Sequence, residues 1–113
     1  MKIYHNPRCS KSRQTLNLIQ EKGGNIEIIE YLKDNLSVIE LEEIIEKLEI
    51  RPIELVRKKE QIWINNYKGK DLTDKEIVEG MVKHPKIMER PIVINGEKAI
   101  IGRPPENVLE IIN

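Results

Sequence analysis

The chain has 113 residues, so a single domain spanning residues 1–113 is expected. Nineteen basic residues balance nineteen acidic ones, and this near-zero net charge disfavours nucleic acid or an anionic membrane surface as a partner. No apolar run approaches the ~20 residues of a membrane span, and the N-terminus lacks the pattern of a signal peptide. One cysteine cannot form an internal disulfide, so a reducing, cytoplasmic location is expected. The two histidines and this cysteine have no ligand spacing, so neither a metal site nor a tightly bound cofactor is predicted.

The N-terminal third predicts a strand, a helix and a second strand. Residues 2–5 form a short strand pattern, and residues 10–22 follow as a helix that ends at Gly23-Gly24. Residues 26–31 alternate in polarity and predict another strand. Two strands joined by a crossover helix are expected to lie parallel, with a right-handed connection.

The middle third predicts helices and no strand. Ser37 and Glu40 form a capping box ahead of an amphipathic helix to about residue 49. Pro52 suits the first turn of a short helix to about residue 59. Thr73 and Glu76 form a second capping box, whose helix ends at the His-Pro dipeptide 84–85.

The C-terminal third predicts a hairpin and a last helix. Strands at 92–94 and 98–101 flank Asn95-Gly96, a strong hairpin turn. The helix begins at the proline pair 104–105, with Val108, Leu109 and Ile112 facing the core. The order is βαβ, a helical block, then ββα, which predicts the α/β class: a four-stranded mixed sheet with helices on both faces.

Cys9 lies where the first strand turns into the first helix. A helix N-terminus presents unpaired N–H groups and the positive end of the helix dipole, and both favour a thiolate. Arg8, Lys11 and Arg13 add positive charge nearby. A lone intracellular cysteine is often a buried core residue, but the location and the polar flanks favour a reactive thiolate at an anion-binding turn.

Arg90 and Arg103 each precede a proline, one before the hairpin and one after it. Because the strands run antiparallel, both arginines are expected at the same end of the hairpin. Paired guanidinium groups match tetrahedral oxyanions, whereas a single arginine would more simply pair with a neighbouring carboxylate. The pair therefore favours an oxyanion site beside Cys9.

His5 and Ser12 flank the cysteine. His5 can assist ionisation of the thiol, or it can be a strand-end histidine held by backbone groups. Ser12 can donate a hydrogen bond to the thiolate, or it can be a local cap. Both are candidate catalytic residues beside Cys9. With no second cysteine, an outside thiol or water must resolve any covalent adduct.

At these residues the chain resembles the glutathione/glutaredoxin-coupled arsenate reductases of thioredoxin-like fold, in particular their short subgroup. The similarity runs nearly end to end. Its specific parts are Tyr4-His5-Asn6-Pro7-Arg8-Cys9 with Ser12-Arg13, Leu55-Val56-Arg57-Lys58, His84-Pro85, Glu89-Arg90-Pro91-Ile92-Val93 and Gly102-Arg103-Pro104.

The resemblance implies a cis bond at Arg90-Pro91 and assigns the roles of the site. Cys9 would attack arsenate, Arg57, Arg90 and Arg103 would bind the oxyanion, and His5 would favour the thiolate. Glutathione would attack the thiol–arsenate adduct, glutaredoxin would remove the glutathione, and arsenite would leave. Glutathione would be the co-substrate and glutaredoxin a partner. Nothing in the sequence demands a dimer, so a monomer is expected.

Two other functions compete with this one. A glutathione-dependent reductase or transferase of another small substrate would use the same residues. A non-catalytic regulator of similar fold that binds RNA polymerase would need a C-x-x-C pair, but Ser12 stands where its second cysteine would lie. A phosphatase is disfavoured because such enzymes usually wrap the anion in one long loop after the cysteine.

Overall fold

The computed structural model describes residues 1–112, which form two compact units. The first comprises Met1–Asp34 and the chain from Arg90 onward, and the second is Asn35–Glu89. The expectation of one domain over residues 1–113 stays a prediction.

The first unit contains a four-stranded mixed sheet of order β2-β1-β3-β4. Its strands are β1 (Lys2–Tyr4), β2 (Glu27–Ile29), β3 (Ile92–Asn95) and β4 (Lys98–Ile101). The β1–β2 pair is parallel, and β1–β3 and β3–β4 are antiparallel. The predicted thioredoxin-like sheet is confirmed. Strand β1 is one residue and β2 three residues shorter than predicted, and β3 is one residue longer.

Helix α1 (Ser10–Glu21) packs against a 3-10 helix, Pro105–Glu110, in this unit. The buried core there comprises Ile3, Ile19, Val93, Val108 and Ile111. Burial of each such side chain stabilises the fold by roughly 1.5–3 kcal/mol. This core fixes α1, and with it the turn that carries Cys9.

The C-terminal helix corrects one prediction. It has three residues per turn rather than 3.6, so the side chains that share its inner face are Pro105, Val108 and Ile111. Leu109, predicted to face the core, is 44% exposed. Ile112 is partly buried against the core.

The second unit comprises helices α2 (Val38–Leu48), α3 (Gln61–Asn66) and α4 (Asp74–Lys83), with 3-10 turns at Pro52–Leu55 and Pro85–Ile87. Both predicted capping boxes are present at the starts of α2 and α4. The helix predicted from Pro52 to about residue 59 is wrong beyond Leu55, because Val56 forms a β-bridge with Met88. Helix α3 was not predicted. None of the helices in residues 1–112 is long and apolar enough to cross a membrane.

Candidate active site

Cys9 is the N-cap of α1 and is partly buried. Its backbone is extended, and the Arg13 N–H donates to its carbonyl at 3.0 Å as the first bond of the helix. The Cys9 N–H donates to the Asn6 carbonyl, also at 3.0 Å. The sulfur is thus held at the end of α1 where unpaired N–H groups and the positive end of the helix dipole lie.

The pKa of the Cys9 thiol lies below its ordinary value. Burial raises this pKa, but hydrogen bonds from the Ser12 backbone N–H and from the Arg90 side chain lower it, as do the Arg90 charge and the Lys11 backbone N–H. The donors outweigh burial because each stabilises the charged form of the sulfur. The thiolate, which is the nucleophilic form, is therefore more populated at neutral pH than in an unperturbed cysteine.

Arg103, which follows β4, contacts the same sulfur. Its Nη1 lies 3.9 Å from Cys9 Sγ and donates to the Arg90 carbonyl at 3.3 Å. The strand register that pairs Ile92 with Ile101 puts both arginines at one end of the hairpin, as predicted. The peptide bond at Arg90-Pro91 is cis, as the resemblance implies, and the bond at Arg103-Pro104 is also cis. A thiolate and two guanidinium groups are therefore brought together at the end of α1.

His5 and Ser12 are both buried and contact each other. His5 Nδ1 lies 2.6 Å from Ser12 Oγ, and this oxygen also accepts a hydrogen bond from the Asn6 N–H at 3.1 Å. The Ser12 hydroxyl thus has two partners other than Cys9, while the Ser12 backbone N–H serves the sulfur. The catalytic roles predicted for His5 and Ser12 remain predictions.

The pKa of His5 is also below its ordinary value. Burial lowers it most, the Glu30 charge raises it and the Arg13 charge lowers it. The ring is consequently neutral at neutral pH, and one ring nitrogen can accept while the other donates.

The loop between β1 and α1 is held by the side chains of Asn6 and Arg13. Asn6 Oδ1 accepts from the Arg8 N–H at 3.0 Å, a local Asx-type bond, and Arg13 Nη1 donates to the Pro7 carbonyl at 2.9 Å. Asn side chains often accept a hydrogen bond from the backbone N–H two residues on in turns, so the role of Asn6 could have been predicted from the sequence. Thr15, to which the sequence assigned no role, is a second buried polar residue on α1 beside Ser12.

Arg57 belongs to the second unit. Its N–H donates to the Ile87 carbonyl at 2.6 Å, and its guanidinium lies 3.5 Å from a Glu60 carboxylate oxygen. Its substrate-binding role stays a prediction. Among residues 1–112, no cluster of three or more His, Cys, Asp or Glu side chains is arranged to hold a metal ion.

Comparison with known proteins gives consistent similarities along the chain. The sequence model of the ArsC family matches residues 4–111. The arsenate reductase of Haemophilus influenzae is 47% identical over 112 residues, which cover 97% of each chain. YfgD of Escherichia coli strain K12, described as an uncharacterized protein, is 46% identical over 99% of this chain and 96% of its own. The solved structure of the arsenate reductase from Vibrio cholerae has a TM-score of 0.94 at 41% identity, covering 99% of this chain and 98% of that one.

Proposed function

This chain belongs to the ArsC family, and from that membership and the geometry at Cys9 we propose that it reduces arsenate to arsenite. The observation that carries the proposal is a thiol of lowered pKa at the N-terminus of α1, with the Arg103 guanidinium 3.9 Å from its sulfur. The proposal also draws on relatives named arsenate reductase at up to 47% identity.

Arsenate suits this arrangement chemically. It is a tetrahedral oxyanion, and planar guanidinium groups such as those of Arg90 and Arg103 bind such anions through paired hydrogen bonds. The same groups, with the N–H groups at the start of α1, stabilise the charge that develops as sulfur attacks arsenic. Arg57 is assigned to the same substrate by its sequence motif alone.

The proposed reaction begins with attack of the Cys9 thiolate on As(V), which forms a sulfur–arsenic bond and expels one arsenate hydroxyl as water, with a proton taken up from solvent. A glutathione thiol then replaces a second oxygen, again with loss of water. A glutaredoxin thiolate attacks the glutathione sulfur, and the bond between that sulfur and arsenic breaks with its electron pair remaining on arsenic, while Cys9 stays bonded to arsenic. Arsenic is thereby reduced to As(III), and glutathione and glutaredoxin share a mixed disulfide. Water releases arsenite and restores Cys9.

The external thiols supply both electrons in this scheme, because residues 1–112 contain one cysteine. His5 and Ser12 are proposed to favour the thiolate indirectly. Their hydrogen bond fixes Ser12, whose backbone N–H is one of the donors that lower the Cys9 pKa. Neutral His5 avoids placing a buried positive charge near the Arg13 charge.

A coupled assay tests the proposal. Glutathione, glutaredoxin, glutathione reductase and NADPH are supplied with arsenate added or omitted, and each thiol donor is left out in turn. Arsenate-dependent NADPH oxidation is expected with the wild type. It should be abolished in Cys9→Ser and reduced by roughly 10²–10³-fold in Arg103→Ala or Arg90→Ala, the loss typical of one oxyanion-stabilising donor.

The controls separate the competing functions. Arg8→Ala removes an exposed arginine of the same loop and should retain activity. No arsenate-dependent turnover, with Cys9 rapidly alkylated at neutral pH, would favour a reductase of another small substrate. No turnover with a sluggish Cys9 would contradict the catalytic proposal and favour the RNA polymerase-binding regulator.

A further inference from the structure

Thr15 connects α1 to the backbone just before Arg103. Its side chain is fully buried, and its Oγ1 lies 2.8 Å from the Lys11 carbonyl and 3.3 Å from the Gly102 carbonyl. A helical threonine ordinarily bonds only to the carbonyl one turn back. Here its single proton bonds mainly to the nearer Lys11 carbonyl and is shared with the Gly102 carbonyl, which belongs to a residue 87 positions away in the chain. The same helix carries Cys9 at its N-cap.

The contact between Thr15 and Gly102 is close. A Cβ at position 102 would lie 2.6 Å from Thr15 Oγ1, 2.9 Å from Thr15 Cγ2 and 2.9 Å from Pro91 Cγ. The Gly102 N–H donates to the Pro91 carbonyl at 2.9 Å. Gly102 is therefore fixed between α1 on one side and the start of the hairpin on the other.

Arg103 follows Gly102 directly, and its side chain is exposed. An arginine loses up to about 2 kcal/mol of side-chain entropy when it is held in one conformation. The direction of its guanidinium thus depends on how firmly its backbone is anchored. Asn107 adds a second anchor, since its Nδ2 donates to the Arg103 carbonyl at 3.1 Å.

We propose that Thr15 is a positioning residue, whose hydroxyl holds the Gly102 carbonyl and thereby aims the Arg103 guanidinium at an oxyanion bound beside Cys9. The identity of the oxyanion rests on the proposed function. The placement of Arg103 is a property of the fold and can be measured separately. Displacement of a substrate-binding group by about 1 Å is enough to reduce turnover strongly.

The test compares Thr15→Val, which keeps the branched shape without the hydroxyl, with Thr15→Ser, which keeps the hydroxyl. Arsenate is used to protect Cys9 from iodoacetamide. Loss of one hydrogen bond of about 0.5–1.5 kcal/mol predicts that Thr15→Val needs about 2- to 12-fold more arsenate for half-protection. Thr15→Ser should behave like the wild type. In the coupled assay, KM for arsenate should rise more than kcat falls.

Two further variants separate positioning from general stability. Ile19→Val trims a fully buried side chain of the same helix away from Gly102 and should leave protection unchanged. Thr15→Ala, which needs no extra room, replaces Thr15→Val if the latter does not fold. Equal losses in Ile19→Val and Thr15→Val would overturn the proposal.

An arsenate-independent measurement completes the test. ¹⁵N relaxation of the Arg103 Nε–H should report an ordered side chain in the wild type and Thr15→Ser and a mobile one in Thr15→Val. An Arg103 equally ordered in all three would overturn the positioning role of Thr15. Absence of arsenate protection in the wild type would instead contradict the proposed function, and the relaxation data would still decide the role of Thr15.

Discussion

Replacement of Ser12 by alanine tests the hydrogen-bond arrangement beneath Cys9. Ser12 is fully buried, and its hydroxyl serves both the Asn6 N–H and His5 Nδ1. Ser12→Ala leaves these two buried polar groups without that partner. Each such group costs about 1–3 kcal/mol, so we expect the free energy of unfolding to fall by roughly 2–6 kcal/mol.

Urea unfolding followed by circular dichroism measures this loss, with Ser10→Ala as the matched control. Ser10 is exposed on the same turn of α1, so its replacement should change stability by no more than about 0.5 kcal/mol. A thermal scan should show Ser12→Ala melting about 10 °C or more below Ser10→Ala. Equal stability of the two variants would refute the claim that the Ser12 hydroxyl satisfies two buried groups.

Three further predictions follow from the same unit. Arg90→Gln should raise the pKa of Cys9, because it removes a charge and a hydrogen bond that lower this pKa and leaves the effect of burial, which raises it. The midpoint of iodoacetamide alkylation against pH should therefore move upward. Stability should decline as pH falls below about 6.5, because His5 has a lower pKa in the folded than in the unfolded chain, so the unfolded chain binds the proton first. His5→Gln should flatten that decline in urea titrations. Gly102→Ala should destabilise the fold by about 1–3 kcal/mol in thermal melts, because its new methyl group would overlap Thr15 and Pro91.

Each of these three predictions has a matched control or an outcome that would contradict it. Arg8→Gln should leave the alkylation midpoint of Cys9 near that of the wild type, and an equal shift in both arginine variants would point to net charge alone. Unchanged acid sensitivity in His5→Gln would assign the decline to other groups. Gly24→Ala, where the nearest atom to a new Cβ is the Ile19 side chain at 3.3 Å, should be milder than Gly102→Ala, and the reverse order would contradict the tight contact at Gly102.

Features of the fold that depend on nearby residues were predictable from the sequence. The capping boxes at Ser37 and Thr73 are encoded within four residues, and both are present. The hairpin predicted at Asn95-Gly96 also forms, but its two loop residues are Gly96 and Glu97, because Asn95 belongs to β3 and pairs with Lys98. Helix α3 was not predicted because its N-cap, Glu60, makes no side-chain capping bond. It is instead accompanied by stacking of Trp63 on Tyr67, with ring centroids 5.4 Å apart.

Long-range contacts set the remaining differences. The Val56–Met88 bridge ends the turn that begins at Pro52, and no local pattern announces a pairing across that distance. At the C-terminus, apolar residues are spaced for either a 3.6-residue or a three-residue repeat. Packing selected the second repeat, which buries Ile111 and leaves Leu109 exposed.

In the candidate site, too, features set by nearby residues or by strand pairing were predictable, and side-chain contacts across the fold were not. The antiparallel hairpin predicted that Arg90 and Arg103 would lie together, and the strand-to-helix turn predicted the lowered pKa of Cys9. The sequence did not predict that the Ser12 hydroxyl would bind His5 and Asn6 while its backbone N–H serves the sulfur. Nor did it predict the contact of Thr15 with Gly102, since both depend on side-chain directions that only the packed fold determines.

The most direct measurement of the central claim is arsenic speciation after incubation of the purified protein with arsenate, glutathione and glutaredoxin. The wild type should form one arsenite for each glutathione disulfide equivalent produced, because the external thiols supply the two electrons that reduce As(V). Cys9→Ser should form none above the rate without protein. Arsenite formation by Cys9→Ser at the wild-type rate would contradict a mechanism that begins at the Cys9 thiolate, and its absence from the wild type would contradict arsenate reduction itself.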